Sequence, residues 1–150
     1  MSKSFVLGYM VLFMLCFASC AKSSIVNENN ADFSKAVKGI TTDEISLNDI
    51  TEFDWDIMYT FFPYTSKARI EEIIGFESGS IEETVSEGMN QLIFVKGEEI
   101  ICNIYGYSDN LGYGFLFGKI EGDYLSIDKN ENATFEVSSS GKNIYLTYSN

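Results

Sequence analysis

The segment FDWDIMYTFF, residues 53–62, alternates in side-chain character along its whole length. One set of alternate positions is large and apolar: Phe53, Trp55, Ile57, Tyr59 and Phe61. The other set is Asp54, Asp56, Met58, Thr60 and Phe62. A period of two predicts a half-buried strand with its aromatic side toward the core, so we expect Trp55 to be buried. Pro63, the only proline of the chain, ends the strand.

The residues on either side of this strand predict two short helices. Downstream, Thr65 or Ser66 serves as the N-cap and Gly75 suits the left-handed position after the last turn. Both helices carry apolar residues at helical spacing: Ile70, Ile73 and Ile74 downstream, and Phe33, Ala36, Val37 and Ile40 upstream.

From residue 91 onward the chain is a succession of short strand patterns. Segments 91–95 and 100–105 flank Lys96-Gly97-Glu98-Glu99, which is typical of a hairpin. Further strand patterns follow at residues 113–120, 123–128, 133–138 and 143–149. This order predicts an α+β fold, a mainly antiparallel β-sheet with one or two short helices packed on one side.

The N-terminus is typical of a secretory signal peptide. Lys3 precedes thirteen uncharged residues, 5–17, and two small residues then lead to Cys20. The last four positions, Phe17-Ala18-Ser19-Cys20, resemble the lipobox of bacterial lipoproteins. That resemblance implies cleavage before Cys20 and acylation of its thiol, with palmitate as a typical chain. The alternative is a retained signal anchor, but the uncharged run has eighteen residues where a spanning helix needs about 20.

The lipobox, the polar residues after it and the length of the remaining chain predict a division into three parts. Residues 1–19 are the signal peptide, residues 20–31 hold the lipidated cysteine and a flexible tether, and residues 32–150 form one globular domain. We expect a lipid anchor in the cell envelope, on the outer membrane facing the periplasm in a Gram-negative cell or on the outer face of the cell membrane in a Gram-positive one. The sequence leaves both envelopes open.

A second resemblance covers about residues 45–105. The segments FDWDIMYTFFPYTSKARIEEIIGF (53–76) and LIFVKGEEI (92–100) resemble small uncharacterised bacterial lipoproteins. The shared features are a Trp-Asp strand, a Pro-Tyr-Thr-Ser helix entry and a downstream hairpin. This resemblance implies no particular activity.

Charge limits the class of partner. The formal net charge is −12, and removal of residues 1–19 takes away Lys3 and no acid, giving −13. This balance argues against binding nucleic acid or an anionic lipid surface and favours a basic protein partner. The chain has no histidine, and Cys102 alone remains after Cys16 is cleaved off and Cys20 is acylated. We therefore predict no metal, no cofactor and no intrachain disulfide, with Cys102 buried as a small hydrophobe.

Three groups of side chains are candidate sites. Asp54 and Asp56, on one strand face, are spaced for paired-carboxylate catalysis. The segment of Asp128, Asn130 and Asn132 partly matches a calcium loop but also suits a turn between strands. A partner surface is predicted from a tyrosine-rich segment: Tyr105, Tyr107, Asp109 and Tyr113.

Two functional classes follow from these patterns. The first is an envelope lipoprotein that acts as a binding or structural module, such as an assembly factor or an inhibitor or immunity protein for a basic partner. The second is an enzyme of unrecognised type that uses its surface carboxylates. The missing catalytic motif and the strong acidity favour the first class.

Overall fold

A computed structural model describes residues 24–120 and 122–149 of the protein. The predicted signal peptide and Cys20 lie outside these residues. The described residues form two four-stranded sheets and several short helices, which confirms the α+β class and its mainly antiparallel pairing.

The elements follow one another in a simple order. Helix α1 covers residues 24–38. The remaining elements are β1 (Glu44–Ser46), a 3-10 turn (Leu47–Ile50), β2 (Ile57–Phe61), α2 (Lys67–Ile74), β3 (Met89–Lys96), β4 (Glu99–Tyr107), α3 (Ser108–Leu111), β5 (Tyr113–Phe117), β6 (Tyr124–Asp128), a second 3-10 turn (Lys129–Glu131), β7 (Thr134–Ser140) and β8 (Asn143–Tyr148).

The strands divide into two sheets, a division that the sequence pattern does not contain. Sheet A has the order β1-β7-β8-β5, and all its pairs are antiparallel except β5 with β8. Sheet B has the order β4-β3-β2-β6 and is antiparallel throughout. The predicted hairpin is confirmed, since β3 and β4 pair from Lys96–Glu99 down to Met89–Tyr107.

The main core draws on α1, both sheets and the loop before β2. The ring of Phe94 lies at its centre, 5.3 Å from the ring of Phe33 and 5.4 Å from the ring of Trp55. Trp55 is 1% exposed, which confirms the prediction that it is buried. Cys102 is also buried as predicted, and burial raises the pKa of its thiol.

A second hydrophobic cluster lies on the other face of sheet B, beneath α2. Its buried members are Phe61, Ile70, Ile81, Ile93, Val95 and Ile100. Sheet B is therefore covered on both faces, and β3 is buried continuously from Asn90 to Val95.

This two-sided burial corrects the predicted division of residues 53–62 into a core face and a solvent face. Met58, assigned to the solvent face, is fully buried in the main core. Tyr59 and Phe61, assigned to the same face as Trp55, belong to the second cluster instead. The predicted strand is also too long, because β2 begins only at Ile57.

Helix α2 confirms its predicted caps. The Ser66 hydroxyl accepts a hydrogen bond from the Arg69 amide at 3.3 Å. Gly75 takes a left-handed conformation, φ 90°, and its amide donates to the Glu71 carbonyl at 2.9 Å. A glycine suits this position because it has no Cβ to oppose a positive φ.

Helix α1 corrects the predicted tether. Residues 24–31 were expected to be flexible, but they are helical and continue into the predicted helix. Two asparagines near the start of α1 bind the outer edge of β4. The Asn29 side-chain nitrogen donates to the Ile101 carbonyl at 2.7 Å, and the Asn103 main-chain amide donates to the Asn30 side-chain oxygen at 2.8 Å. The helix thus satisfies main-chain groups that an edge strand would leave open.

Across the described part of the chain, every helix is too short or too polar to cross a membrane.

Candidate functional site

Asp54 and Asp56 lie in the loop before β2, where they bind two lysines. The Lys96 ammonium is 2.8 Å from an oxygen of Asp54 and 3.0 Å from an oxygen of Asp56. The other oxygen of Asp54 is 2.8 Å from the Lys129 ammonium, and the Gly97 amide donates to Asp56 at 2.8 Å. These contacts tie the loop to the β3–β4 turn. Because Asp54 and Asp56 precede β2, the prediction that they share one strand face is wrong.

The same contacts lower the pKa values of both carboxylates. Hydrogen bonds from Lys129 and then Lys96 lower the pKa of Asp54 from 3.8 to about 2. The Gly97 amide, followed by Lys96, lowers the pKa of Asp56. Both groups are ionised at neutral pH, which is the wrong state for a general acid.

We expect the carboxyl carbon of Asp54 to titrate near pH 2 in a carbon-detected NMR titration. Replacement of its first partner, Lys129→Met, should move that midpoint toward 3.8. Because the folded-state pKa lies below the unfolded value, the contribution of Asp54 to stability is present above about pH 4. It is lost as pH falls toward 2. A midpoint unchanged by Lys129→Met would contradict the assigned ion pair.

The structure separates the members of the predicted tyrosine surface. Tyr113 lies on the side of β5 that faces the main core, as Phe115 does, and it is fully buried there. Its assignment to a surface was therefore wrong. Its hydroxyl lies 2.8 Å from the Ser34 hydroxyl, and burial raises its pKa to about 12. The carboxylate of Asp109 accepts from the Asn143 side chain, and Tyr107 is 41% exposed.

Tyr105 contacts the connection between α2 and β3, which forms another part of the surface. Its hydroxyl donates to the main-chain carbonyl of Glu83 at 2.8 Å. Glu83 belongs to the long connection between α2 and β3, which has no helix or strand of its own. We call residues 76–88 of this connection the acidic loop, because they include four glutamates and no lysine or arginine: Glu77, Glu82, Glu83 and Glu87.

Side chains from sheet B hold the acidic loop in place. Besides the bond from Tyr105, the Asn103 side chain donates to the Ser80 carbonyl at 2.6 Å and the Gln91 side chain donates to the Glu82 carbonyl at 2.7 Å. Ile81 packs into the second cluster. The loop is thus ordered mainly by contacts to its main chain, and the Glu83 carboxylate also accepts from the Lys67 main-chain amide at 2.6 Å. All four glutamates are exposed. Long connections without regular structure that are nevertheless ordered are commonly functional.

The turn after β2 lies against this loop. We call residues 62–65 the aromatic turn: the Thr65 amide donates to the Phe62 carbonyl, and the Tyr64 amide donates to the Thr84 carbonyl of the acidic loop at 2.9 Å. Tyr64 has φ 69°, where glycine is the usual residue of such a turn. A left-handed tyrosine costs of order 1–2 kcal/mol.

The strained turn keeps a large aromatic side chain in solvent. Tyr64 is 65% exposed, Phe62 is 45% exposed, and Val85 of the acidic loop is 68% exposed. Two cations follow the turn, and both are paired with acids: Arg69 lies 2.9 Å from Asp123 and 2.8 Å from Glu72, and the Lys67 ammonium lies 3.7 Å from Glu71. The acids therefore outnumber the cations around the turn. Together, the acidic loop and the aromatic turn form what we call the binding face.

The calcium-like segment is explained by local capping. Asp128 caps the second 3-10 turn, where its carboxylate accepts from the Asn130 amide at 2.8 Å. The Asn132 side chain accepts from Ser46 and Asn48. Within residues 24–120 and 122–149, no group of three or more cysteine, aspartate or glutamate side chains is arranged to hold a metal ion.

Comparison of the chain with protein-family models, with curated proteins and with solved structures gave no match. The function is therefore inferred from the surface of the chain itself. Sequence reasoning missed Tyr64 and Val85, although two signals were visible: a run of acids without cations, and a Pro-Tyr pair directly after a strand.

Proposed function

We propose that the protein is a membrane-tethered binding module of the cell envelope whose partner is a cationic protein. The observation that carries this proposal is the binding face, an ordered acidic loop beside a strained turn that exposes Tyr64. An inhibitor or immunity protein for a basic enzyme is one form that such a module takes. The anchor is the acyl group on Cys20 implied by the lipobox.

Physical reasons support this kind of partner. Exposed aromatic rings supply much of the binding energy in protein interfaces, because they bury a large area at a small cost in side-chain entropy. The carboxylates around Tyr64 and Val85 attract a cationic surface and speed its association. The αL strain at Tyr64 fits this role, since such strain is concentrated at binding and catalytic sites.

The enzyme alternative depends on Asp54 and Asp56, and their contacts favour it less. Both carboxylates are bound by lysines, and they tie the loop before β2 to the β3–β4 turn. A pair with lowered pKa values, each already paired with a cation, suits a structural ion pair better than a proton-transferring pair.

The variant Tyr64→Gly tests the proposal. Glycine relieves roughly 1–2 kcal/mol of left-handed strain and loses roughly 0.4–1 kcal/mol through added freedom of the unfolded chain. The free energy of unfolding should therefore stay the same or rise, while recovery of a basic partner from the cell envelope by the tagged full-length protein should fall about tenfold.

Tyr107→Ala is the matched control. It removes another exposed tyrosine, one that belongs to β4 and not to the binding face. If Tyr107→Ala loses the partner and Tyr64→Gly does not, the binding surface is the tyrosine-rich segment predicted from the sequence and not the binding face. Recovery of an acidic partner would contradict the proposal directly.

A further inference from the structure

A cleft opens where the two central strands of sheet B separate. The ladder between β2 and β3 ends at Tyr59–Ile93. Each strand continues on its other side, β2 with β6 to Phe61–Tyr124 and β3 with β4 to Met89–Tyr107. Continuing the β2–β3 register would pair Phe61 with Gln91, and that pair is not formed.

The separation leaves a cavity of about 350 Å³ between the two strand ends and β5. Most of the residues that line it are apolar, among them Phe62, Met89, Leu92, Phe115, Leu116 and Ile120, while polar atoms provide about half of the exposed lining. Leu116 is 51% exposed and Phe62 is 45% exposed, so apolar side chains are also open to solvent beside it. The size lies at the lower end of the range for small-ligand sites.

Three buried polar residues also line the cleft. Thr60, Asn90 and Gln91 are 5%, 8% and 2% exposed. Asn90 fixes the position of β5 across the cleft, because its side-chain oxygen accepts from the Phe115 amide at 2.7 Å. Its side-chain nitrogen donates to the Gly106 carbonyl at 3.1 Å. The cleft is thus a preformed feature held by buried hydrogen bonds.

The cleft is continuous with the binding face. Phe62 and Pro63 of the aromatic turn line it, and so does Gly88, the last residue of the acidic loop. A protein that approaches the acidic loop therefore meets the mouth of a cleft with both apolar and polar walls. Anchor side chains of protein interfaces characteristically fill such pockets, surrounded by polar contacts.

We propose that this cleft receives one large apolar side chain, aromatic or leucine-like, from a cationic segment of the partner protein. This inference rests on the proposed function and specifies its partner. The charges that select the segment are the glutamates of the acidic loop, of which Glu87 lies next to the cleft residue Gly88. The affinity comes from burial of the anchor side chain against Phe62 and Leu116.

Two synthetic peptides of equal charge test the cleft with the folded protein. The first is acetyl-Lys-Lys-Leu-Trp-Lys-Lys-amide, and the second has Ser-Ser in place of Leu-Trp. We expect the first to bind about tenfold more tightly and to shift the amide NMR signals of Phe62, Met89 and Leu116.

Leu116→Ser should weaken binding of the first peptide about fivefold to tenfold and leave the second unchanged. Ile25→Ser is the matched control, since Ile25 lies on α1, does not line the cleft and is also 51% exposed.

Equal affinity of the two peptides, no binding of either, or equal weakening by the two variants would overturn the inference. Equal, salt-dependent binding of both peptides would leave the cationic partner standing and remove only the anchor. The proposed function fails by a different result, in which the tagged full-length protein recovers no basic protein from the cell envelope.

Discussion

Trp55→Ala is expected to lower the free energy of unfolding by about 3–5 kcal/mol. Trp55 is 1% exposed, and its ring meets the Phe94 ring edge-on at 5.4 Å in the centre of the main core. Its indole nitrogen donates to the Thr51 hydroxyl at 2.9 Å. The substitution removes both the ring contacts and this hydrogen bond. The expected loss is a large share of the free energy of unfolding of a domain, which is roughly 5–15 kcal/mol.

Chemical denaturation followed by circular dichroism measures this loss, and Trp55→Phe serves as the control. Phenylalanine keeps a ring against Phe94 and loses the bond to Thr51, so we expect a smaller loss of about 1–3 kcal/mol. The chain has a single tryptophan, so the wild-type emission maximum reports Trp55 alone. A fully water-exposed maximum in the native protein, or equal losses in the two variants, would contradict the packing of the core.

Cys20→Ala should abolish labelling of the protein by a palmitate analogue and leave the protein either unprocessed or exported without a lipid anchor. The resemblance of residues 17–20 to a lipobox implies an acyl group on this thiol, and two or three acyl chains anchor durably where one chain binds only marginally. No helix within residues 24–120 and 122–149 is long and apolar enough to cross a bilayer. The measurement is metabolic labelling followed by separation of membrane and soluble fractions.

Cys16→Ala is the control for this experiment, because Cys16 lies within the predicted signal peptide and would be removed with it. Cys102 is a second control, since its thiol is buried in the main core. Label that persists at the wild-type level in Cys20→Ala would contradict the assigned anchor. Loss of label with Cys16→Ala alone would place the processing site elsewhere.

Local patterns were sufficient to predict the elements that local forces determine. Ser66 and Gly75 marked the ends of α2 because capping depends on a few neighbouring residues. The β3–β4 hairpin was visible from Lys96 to Glu99 because its turn joins adjacent strands. The two faces of β2 were not predictable from alternation, since α2 returns to cover the second face and Met58 and Phe61 are both buried.

The binding face was harder to predict because long-range contacts create it. Tyr105 looked like a partner contact in the sequence, but its hydroxyl binds the Glu83 carbonyl, a pairing between residues far apart in the chain. Tyr113 looked similar and is buried, with Ser34 of α1 beside its hydroxyl. The acids of residues 76–88 were countable, but nothing local indicated that sheet B would hold their main chain in place. The left-handed φ of Tyr64 also had no local signal, since glycine is the residue expected there.

The most direct test of the central claim is the association rate of the recovered partner, measured against ionic strength. Electrostatic screening shortens from about 10 Å at 0.1 M salt to about 3 Å at 1 M. We expect the association rate to fall steeply over that interval, and to fall less steeply in a variant with Glu82→Gln and Glu87→Gln. Glu136→Gln, an exposed glutamate on β7 of sheet A, should leave the salt dependence closer to that of the wild type. An association rate that is flat from 0.1 M to 1 M salt, or a partner that is itself acidic, would contradict recognition of a cationic protein by the binding face.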